Sequence, residues 1–460
     1  MSDAGSRSAL VRRIDVRGLA RVEGAGSLRV RIGPDGTIEI VEFAIFEPPR
    51  FFERLLVGRE VREVPDIVAR ICGICPVAYQ LAACGALEAA LGIRITPELR
   101  LLRRLLLAAE WIQSHAVHVF LLHAADYLGL DSGFEIPARL PGFVEDGLRM
   151  KEIGCRLLAA LGGRAVHPVN VAVGGFHRAP DPMAIRGLVP DLEWGRAAAL
   201  AALDVVRTFT APAFPQDYEG VAVAPAAGYL AADTEAGPRI VSTAGLDIPC
   251  AAFPAHFVER QVPHSTGLHC LRVDHEAATG GRPYLTGPLA RLNLFRDRLP
   301  PTARRAADAH LAHPCRDTFQ SIGVRLVEIA AAFEEAAEIA RACHAAVAPC
   351  RIDFTPRSGT GSHAVEAPRG QLWHRYDIDA AGLVTAATIV PPTSQNLARI
   401  EADLRAFVPG VLDLPDAAAA RRCEHLIRNY DPCISCAAHF LTLAVDRPPA
   451  GPAGSSAGVA

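Results

Sequence analysis

Arg70-Ile71-Cys72-Gly73-Ile74-Cys75-Pro76 near one end of the chain and Asp431-Pro432-Cys433-Ile434-Ser435-Cys436-Ala437-Ala438-His439 near the other decide how the rest is read. Each carries a Cys-x-x-Cys pair. Four thiolates that converge in space make a soft, anion-rich pocket for a transition metal. Pairs this far apart in sequence meet only when the whole domain folds around them. The expected site is therefore deeply buried, unlike the compact knuckle of a zinc finger.

Outward from the first pair, helices are predicted over Val64–Ile71 and Val77–Leu91, so the pair lies at a junction broken by Gly73 and Pro76. Apolar residues recur at helical spacing from Pro97 to Leu128. Residues 145–162, 190–209 and 302–347 repeat that pattern, with a break expected near Pro314. Helices over Asn396–Phe407 and Ala417–Tyr430 lead into the second pair. Residues 14–46 read as strands, with Leu28–Ile32 and Thr37–Val41 alternating about a Gly33-Pro34-Asp35-Gly36 turn. Residues 210–300, rich in Pro and Gly, and residues 363–391 read as β and loop regions. The expected fold is mainly α with smaller β regions (α+β), a central bundle of long helices with short peripheral sheets. One domain is expected over 1–439, followed by a tail, 440–460, that turns to Pro, Gly and Ser.

The chain has 460 residues, half of them hydrophobic, and a net charge of −3. That charge predicts no broad attraction to nucleic acid or to an anionic membrane. The first residues show no apolar export segment, and no bilayer-spanning run is read, since Leu105–Leu122 is interrupted by Glu110, Gln113 and histidines. The expected setting is cytoplasmic. The twelve cysteines are accordingly read as reduced thiols or ligands, not as a disulfide framework. Eight of them (Cys84, Cys155, Cys250, Cys270, Cys315, Cys343, Cys350, Cys423) lack ligand spacing and read as small buried hydrophobes.

By spacing alone the four paired cysteines fit a structural zinc site, and Fe–S ligation is a second reading. Two features weigh against zinc. Each pair sits among apolar helices, and specific acid–base residues flank the pairs.

Those flanks carry a resemblance. The two cysteine blocks, Arg21-Val22-Glu23-Gly24, Pro49-Arg50-Phe51-Phe52-Glu53, Gly58-Arg59, Ser114-His115-Ala116-Val117-His118, Gly163–Pro168, Gly174-Gly175-Phe176, Gly281-Arg282-Pro283 and Glu366-Ala367-Pro368-Arg369-Gly370 resemble the large, catalytic (alpha) subunit of nickel–iron hydrogenases. The resemblance spans nearly the whole chain. Pro76–Gln80 and Ala438–Leu441 are most similar to the cytoplasmic NADP-linked group, also called sulfhydrogenases. Two positions depart from many relatives: Tyr79 in place of a His, and Ser114 in place of an Asp.

The resemblance implies roles. Cys72 and Cys433 would be terminal thiolates on nickel, while Cys75 and Cys436 would bridge nickel to an iron carrying CO and cyanide. Heterolysis of H₂, a very weak acid, needs a Lewis-acidic metal and a base within reach. Cys433 would be that base and Glu23 would take the proton outward. Arg369 would sit over the open metal position or bond a cyanide nitrogen. Glu53 and His439 would hold a second ion, Mg²⁺ (or Fe²⁺), completed by water and a backbone carbonyl near Asn396 or Leu397. His115, His118 and His167 would at most support the centre from outside it. Cleavage after His439 by a maturation endopeptidase, following nickel insertion by dedicated proteins, would remove residues 440–460.

No ferredoxin-like cysteine pattern and no Gly-x-Gly-x-x-Gly fingerprint remain in the sequence. Electrons would leave through an Fe–S small subunit to a flavin (FAD) and Fe–S diaphorase partner that reduces NADP⁺. Sulfur or polysulfide reduction would be a side activity. The alternatives are an NAD- or ferredoxin-linked hydrogenase and, in different classes, a metal-free respiratory-complex-like subunit or a structural zinc protein.

Overall fold

The computed structural model describes residues 12–230, 237–278 and 280–438. It opens on an antiparallel meander of β1 (Arg12–Val16), β2 (Gly26–Ile32) and β3 (Ile38–Ile45). Leu28, Val30 and Ile32 alternate inward while Arg29 points out, the period of two that a one-sided sheet imposes.

Helix α1 (Pro76–Leu91) is buried on every side except at Ala89. A helix apolar all round belongs at the centre of a fold. Pro76 suits its first turn, where the missing N–H costs nothing, and Gly92 ends it with φ 69°. Helix α2 (Pro97–Val117) is capped by Thr96, whose Oγ1 accepts the Leu99 N–H at 3.3 Å. It packs on α3 (Phe143–Gly162) and α5 (Ser321–Ala342), and α5 in turn packs on α4 (Val189–Val206). A Cβ on Gly154 would lie 2.9 Å from the Ala109 carbonyl oxygen, so only glycine permits that α2–α3 approach. Each fully buried leucine of these stripes contributes roughly 1.5–3 kcal/mol by leaving water.

The peripheral sheets are short, apart from β4 (Gly359–Ala367), β5 (Gly370–Ile378) and β6 (Val384–Val390), which pair antiparallel in order and lie against α1. Helices α6 (Pro392–Phe407) and α7 (Asp416–Asn429) follow. The mixed α and β content and the helical core agree with the fold class read from sequence.

Three local expectations change. The helix predicted to Leu128 becomes a π-helical segment over His118–His123 before one more α turn at Ala124–Tyr127. Wide turns of this kind occur often at functional sites. A helix, Pro288–Phe295, stands inside the region read as β and loop. Finally, Pro97–Tyr127, with a mean hydropathy of 1.4, is long and apolar enough to cross a membrane, although 83% of its apolar window is buried inside the protein.

Candidate metal centre

The first cysteine pair wraps the start of α1. Cys72 is extended after a single 3₁₀ turn, Ala69–Ile71, and Cys75 is the residue before Pro76. The Ile74 N–H points at Cys72 Sγ from 3.3 Å. His167, itself at φ 48°, holds the turn through Nδ1, 2.7 Å from the Ala69 carbonyl. The second pair follows α7. Asp431 takes φ 52°, Cys433 forms a lone parallel bridge with Glu23, and Cys436 lies in the helical turn Ile434–Ala437. Left-handed backbone costs a non-glycine residue of order 1–3 kcal/mol and persists only where the surroundings hold it. Arg21 and Phe51 are left-handed too, each two residues before a candidate site residue, as Asp431 is.

These elements bring the four sulfurs within 4.8 Å of one another. Sγ–Sγ separations are 3.3 Å for Cys72–Cys433, 3.6 Å for Cys75–Cys436 and 2.9 Å for Cys433–Cys436. All four side chains are buried. Hydrogen bonds from Cys433, then Cys436 and Cys75, pull the Cys72 thiol well below its usual range. Cys433 goes the other way, pushed up foremost by its contact with Cys436. Four thiolates at this spacing repel strongly in a low dielectric. They can ionise together only around cations, and a soft donor set of this kind fits nickel and iron.

Glu23 closes one side. Its Oε2 accepts from Cys433 Sγ at 3.2 Å and from the Ser435 N–H at 3.0 Å, and its Oε1 accepts from the Ser435 hydroxyl. The Ile434 N–H to Glu23 carbonyl bond, 2.9 Å, fixes the backbone beneath it. Glu23 is half-buried, so the carboxylate lies between a sealed thiol and the outside.

Arg369 reaches the second cysteine segment from the two-residue turn between β4 and β5. Its Nε donates to the Asp431 carbonyl at 2.8 Å, Nη2 to Asp431 Oδ1 at 3.2 Å and Nη1 to Ser114 Oγ at 3.3 Å. Burial works against the charge, but Asp431 and the nearby cysteines keep the guanidinium protonated. Asp431 is in turn held well below the ordinary carboxylate range; burial opposes this, and Arg369 and His118 outweigh it. His118 Nδ1 lies 3.0 Å from Asp431 Oδ1, while burial lowers His118 to about 4.

Glu53 is buried, and its Oε1 accepts the Ile389 N–H at 2.7 Å. Glu259 is pushed up to about 8, first by burial and then by the charge of Glu53. The Asn396 side chain is already committed: it accepts the Thr286 N–H and donates to the Thr286 carbonyl, both at 3.0 Å. His439 and the tail lie outside the described residues.

The structure also brings in groups that sequence reasoning gave no role. Glu110 caps the start of α1, accepting the Val77 N–H at 2.6 Å and the Ala78 N–H at 3.1 Å, and burial pushes it up to about 8. Thr393 Oγ1 accepts the Cys433 N–H at 3.0 Å. Arg50 donates to the carbonyls of Ile71 and Ser435 and so ties the two cysteine segments together. Arg50 belongs to a motif read in the sequence, and that was its only signal.

Comparison with known proteins agrees with this geometry. The family model described as nickel-dependent hydrogenase matches residues 50–137. The alpha chain of sulfhydrogenase 1 from Pyrococcus furiosus is 30% identical over 94% of this chain and 98% of its own length. The alpha chain of sulfhydrogenase 2 from the same organism is 29% identical over 94% and 100%. Among solved structures, an NAD⁺-reducing [NiFe]-hydrogenase in the H₂-reduced state superposes with a TM-score of 0.83, 26% identity and coverage of 93% and 99%. The Ni-Fe-Se hydrogenase of Desulfovibrio vulgaris Hildenborough shares the fold with a TM-score of 0.76. With its four converging cysteines and end-to-end match to these proteins, the chain belongs to the nickel-dependent hydrogenase family, as a catalytic large subunit.

Proposed function

We propose that this subunit catalyses reversible heterolytic cleavage of H₂, with Cys72 and Cys433 as terminal nickel ligands and Cys75 and Cys436 bridging nickel to an iron that carries CO and cyanide. When bound, that centre supplies the Lewis acidity that polarises H₂. The observation that carries the reading is the contact of Cys433 Sγ with Glu23 Oε2, 3.2 Å, inside the four-sulfur cluster. Cys433 Sγ takes one proton and passes it to Glu23 Oε2, which lies at the half-buried edge. Arg369 stays charged and fixed by Asp431, and would offer its guanidinium to a cyanide nitrogen or to the open position. Glu53 and His439 hold Mg²⁺ (or Fe²⁺). The buried carboxyl of Glu53, with the half-buried Glu259 close enough to feel its charge, suits a hard cation there.

The two electrons leave through an Fe–S small subunit. Phe51 and Val166, 41% and 53% exposed, lie close in sequence to Arg50 and His167, which hold the backbone around the first cysteine pair. A flavin and Fe–S diaphorase then reduces NADP⁺ in a cytoplasmic complex; the names of the sulfhydrogenase relatives and of the NAD⁺-reducing neighbour support such partners and a sulfur-reducing side activity. The subunit works as a domain of residues 1–439, after an endopeptidase removes 440–460.

An infrared spectrum of the matured protein tests the centre. CO and cyanide stretching bands are expected, and H₂-dependent reduction of NADP⁺ should exceed that of NAD⁺. Metal-loaded protein without those bands would leave a structural zinc site or a non-catalytic relative.

A further inference from the structure

Away from the four cysteines, His264, His269 and Glu401 bring donor atoms within 4.8 Å of one another. His264 lies in the loop after the strand Phe257–Arg260, His269 opens the strand His269–Val273, and Glu401 stands on α6 one turn beyond Leu397. His264 Nε2 is 2.7 Å from Glu401 Oε1, and His269 Nδ1 is 4.0 Å from Glu401 Oε2. Donors sharing one tetrahedral zinc at ~2.0–2.1 Å lie about 3.3 Å apart. The two observed separations straddle that figure.

A plain imidazole–carboxylate pair accounts for His264 but not for His269. The His269 side chain is 6% exposed, its Nδ1 is beyond hydrogen-bonding reach of the carboxylate, and its buried Nε2 has no hydrogen-bond partner. His269 Nδ1 faces Glu401 Oε2 across 4.0 Å with no hydrogen bond between them, a gap that an ion held by both would close. Glu401 Oε1 also accepts the Phe43 N–H at 2.9 Å, which fixes the carboxylate as outer hydrogen bonds fix metal ligands. His264 and Glu401 stay 20% and 18% exposed, leaving a side through which an ion and its water enter. The grouping His123, Asp126 and His425 differs, because Arg21 and Arg428 already engage Asp126.

We infer that His264, His269 and Glu401 bind a divalent ion of the zinc class, completed by water. Two neutral imidazoles and one carboxylate are a donor set that zinc favours. The ion ties α6 to the loop whose Gly267 packs on Leu397 and Ala437, and whose Ser265 and Thr266 hydrogen-bond the Ile45 backbone. It thus braces the wall behind the second cysteine pair without sharing a ligand with it.

The test is elemental analysis with zinc K-edge X-ray absorption on the purified hydrogenase complex, wild type against His264→Gln/His269→Gln. Expected is one equivalent of zinc with only nitrogen and oxygen scatterers, lost in the double variant while nickel content is kept. Equal zinc in both proteins, or zinc held through sulfur, overturns the inference. Protein isolated without zinc is titrated with Zn²⁺ alone: saturable binding by the wild type but not by the variant supports the site, and no binding by the wild type overturns it. Glu401→Gln serves as a second variant if the double one fails to assemble. Since the ligands are nitrogen and oxygen, a failed cysteine centre and a failed zinc site give different spectra.

Discussion

Two buried polar clusters lie within the same core and solve opposite problems. Around Arg291 one guanidinium serves two buried carboxyls, and burial lifts the second, Glu366, to about 7. Arg291 Nε and Nη2 meet Glu328 at 2.8 and 2.7 Å, and its Nη1 meets Glu366 at 2.7 Å. Its remaining reach goes to the carbonyls of Ala367 and Pro368, and it stacks 4.1 Å from the Trp111 ring centre. Burial works against Glu328, but Arg291 pulls it down to about 2. Around Cys72, Cys75, Cys433 and Cys436 the sulfurs crowd together with Arg369 as the nearby cation. The first cluster is paired as folded, whereas the four cysteines of the second can ionise together only when metal arrives. A closed cluster holds the shape, and an open one beside it does chemistry. The two are coupled, because Arg291 grips the residues immediately before Arg369.

Cys433→Ser should break the open cluster alone. Nickel is expected to be lost and H₂ turnover to fall below detection, while the metal-free chain melts as before; a variant that keeps nickel and turnover would end the ligand assignment. Glu23→Gln should be milder, keeping nickel but slowing D₂/H⁺ exchange by about 10²–10⁴-fold, the usual worth of a positioned proton acceptor. Unchanged exchange would move the proton exit elsewhere.

Arg291→Met attacks the closed cluster. Leaving Glu328 and Glu366 buried without their cation should cost about 3–5 kcal/mol in denaturant unfolding. A loss under 1 kcal/mol would mean that the cluster is not what holds this region.

His115 tests the acid limb. Its Nε2 lies 3.1 Å from Glu328 Oε2, and burial lowers it from 6.5 to about 4. The unfolded chain therefore binds this proton first. The stability it contributes is present above pH 6.5 and is lost as pH falls through about 4. His115→Gln should flatten that limb by roughly 3 kcal/mol, and an equally steep limb in the variant would assign it to other groups.

The cysteine spacing and the Glu-Gly and Pro-Arg-Gly motifs are local strings, so the sequence exposed them, as it did the long apolar stripes. The sites of strain and support were not readable. Nothing in Asp431 as a letter announces a left-handed backbone that also anchors Arg369. Arg291 and Glu328 are 37 positions apart in one dimension and a hydrogen bond apart in three. The π-helical segment at His118–His123 came from the same helical periodicity as its neighbours and parts from it through tertiary packing. Helix Pro288–Phe295 was hidden by the glycine and prolines just before it, which a three-turn window reads as loop.

The two cysteine pairs are separated by 361 residues. At roughly 5–20 residues per second, the ribosome presents the first pair about 20–70 seconds before the second. During that interval Cys72 and Cys75 have neither their partners nor the Glu23–Cys433 bridge to shelter them. The order of synthesis alone therefore leaves the two thiols of the half-built centre open to oxidants and stray metals for that interval.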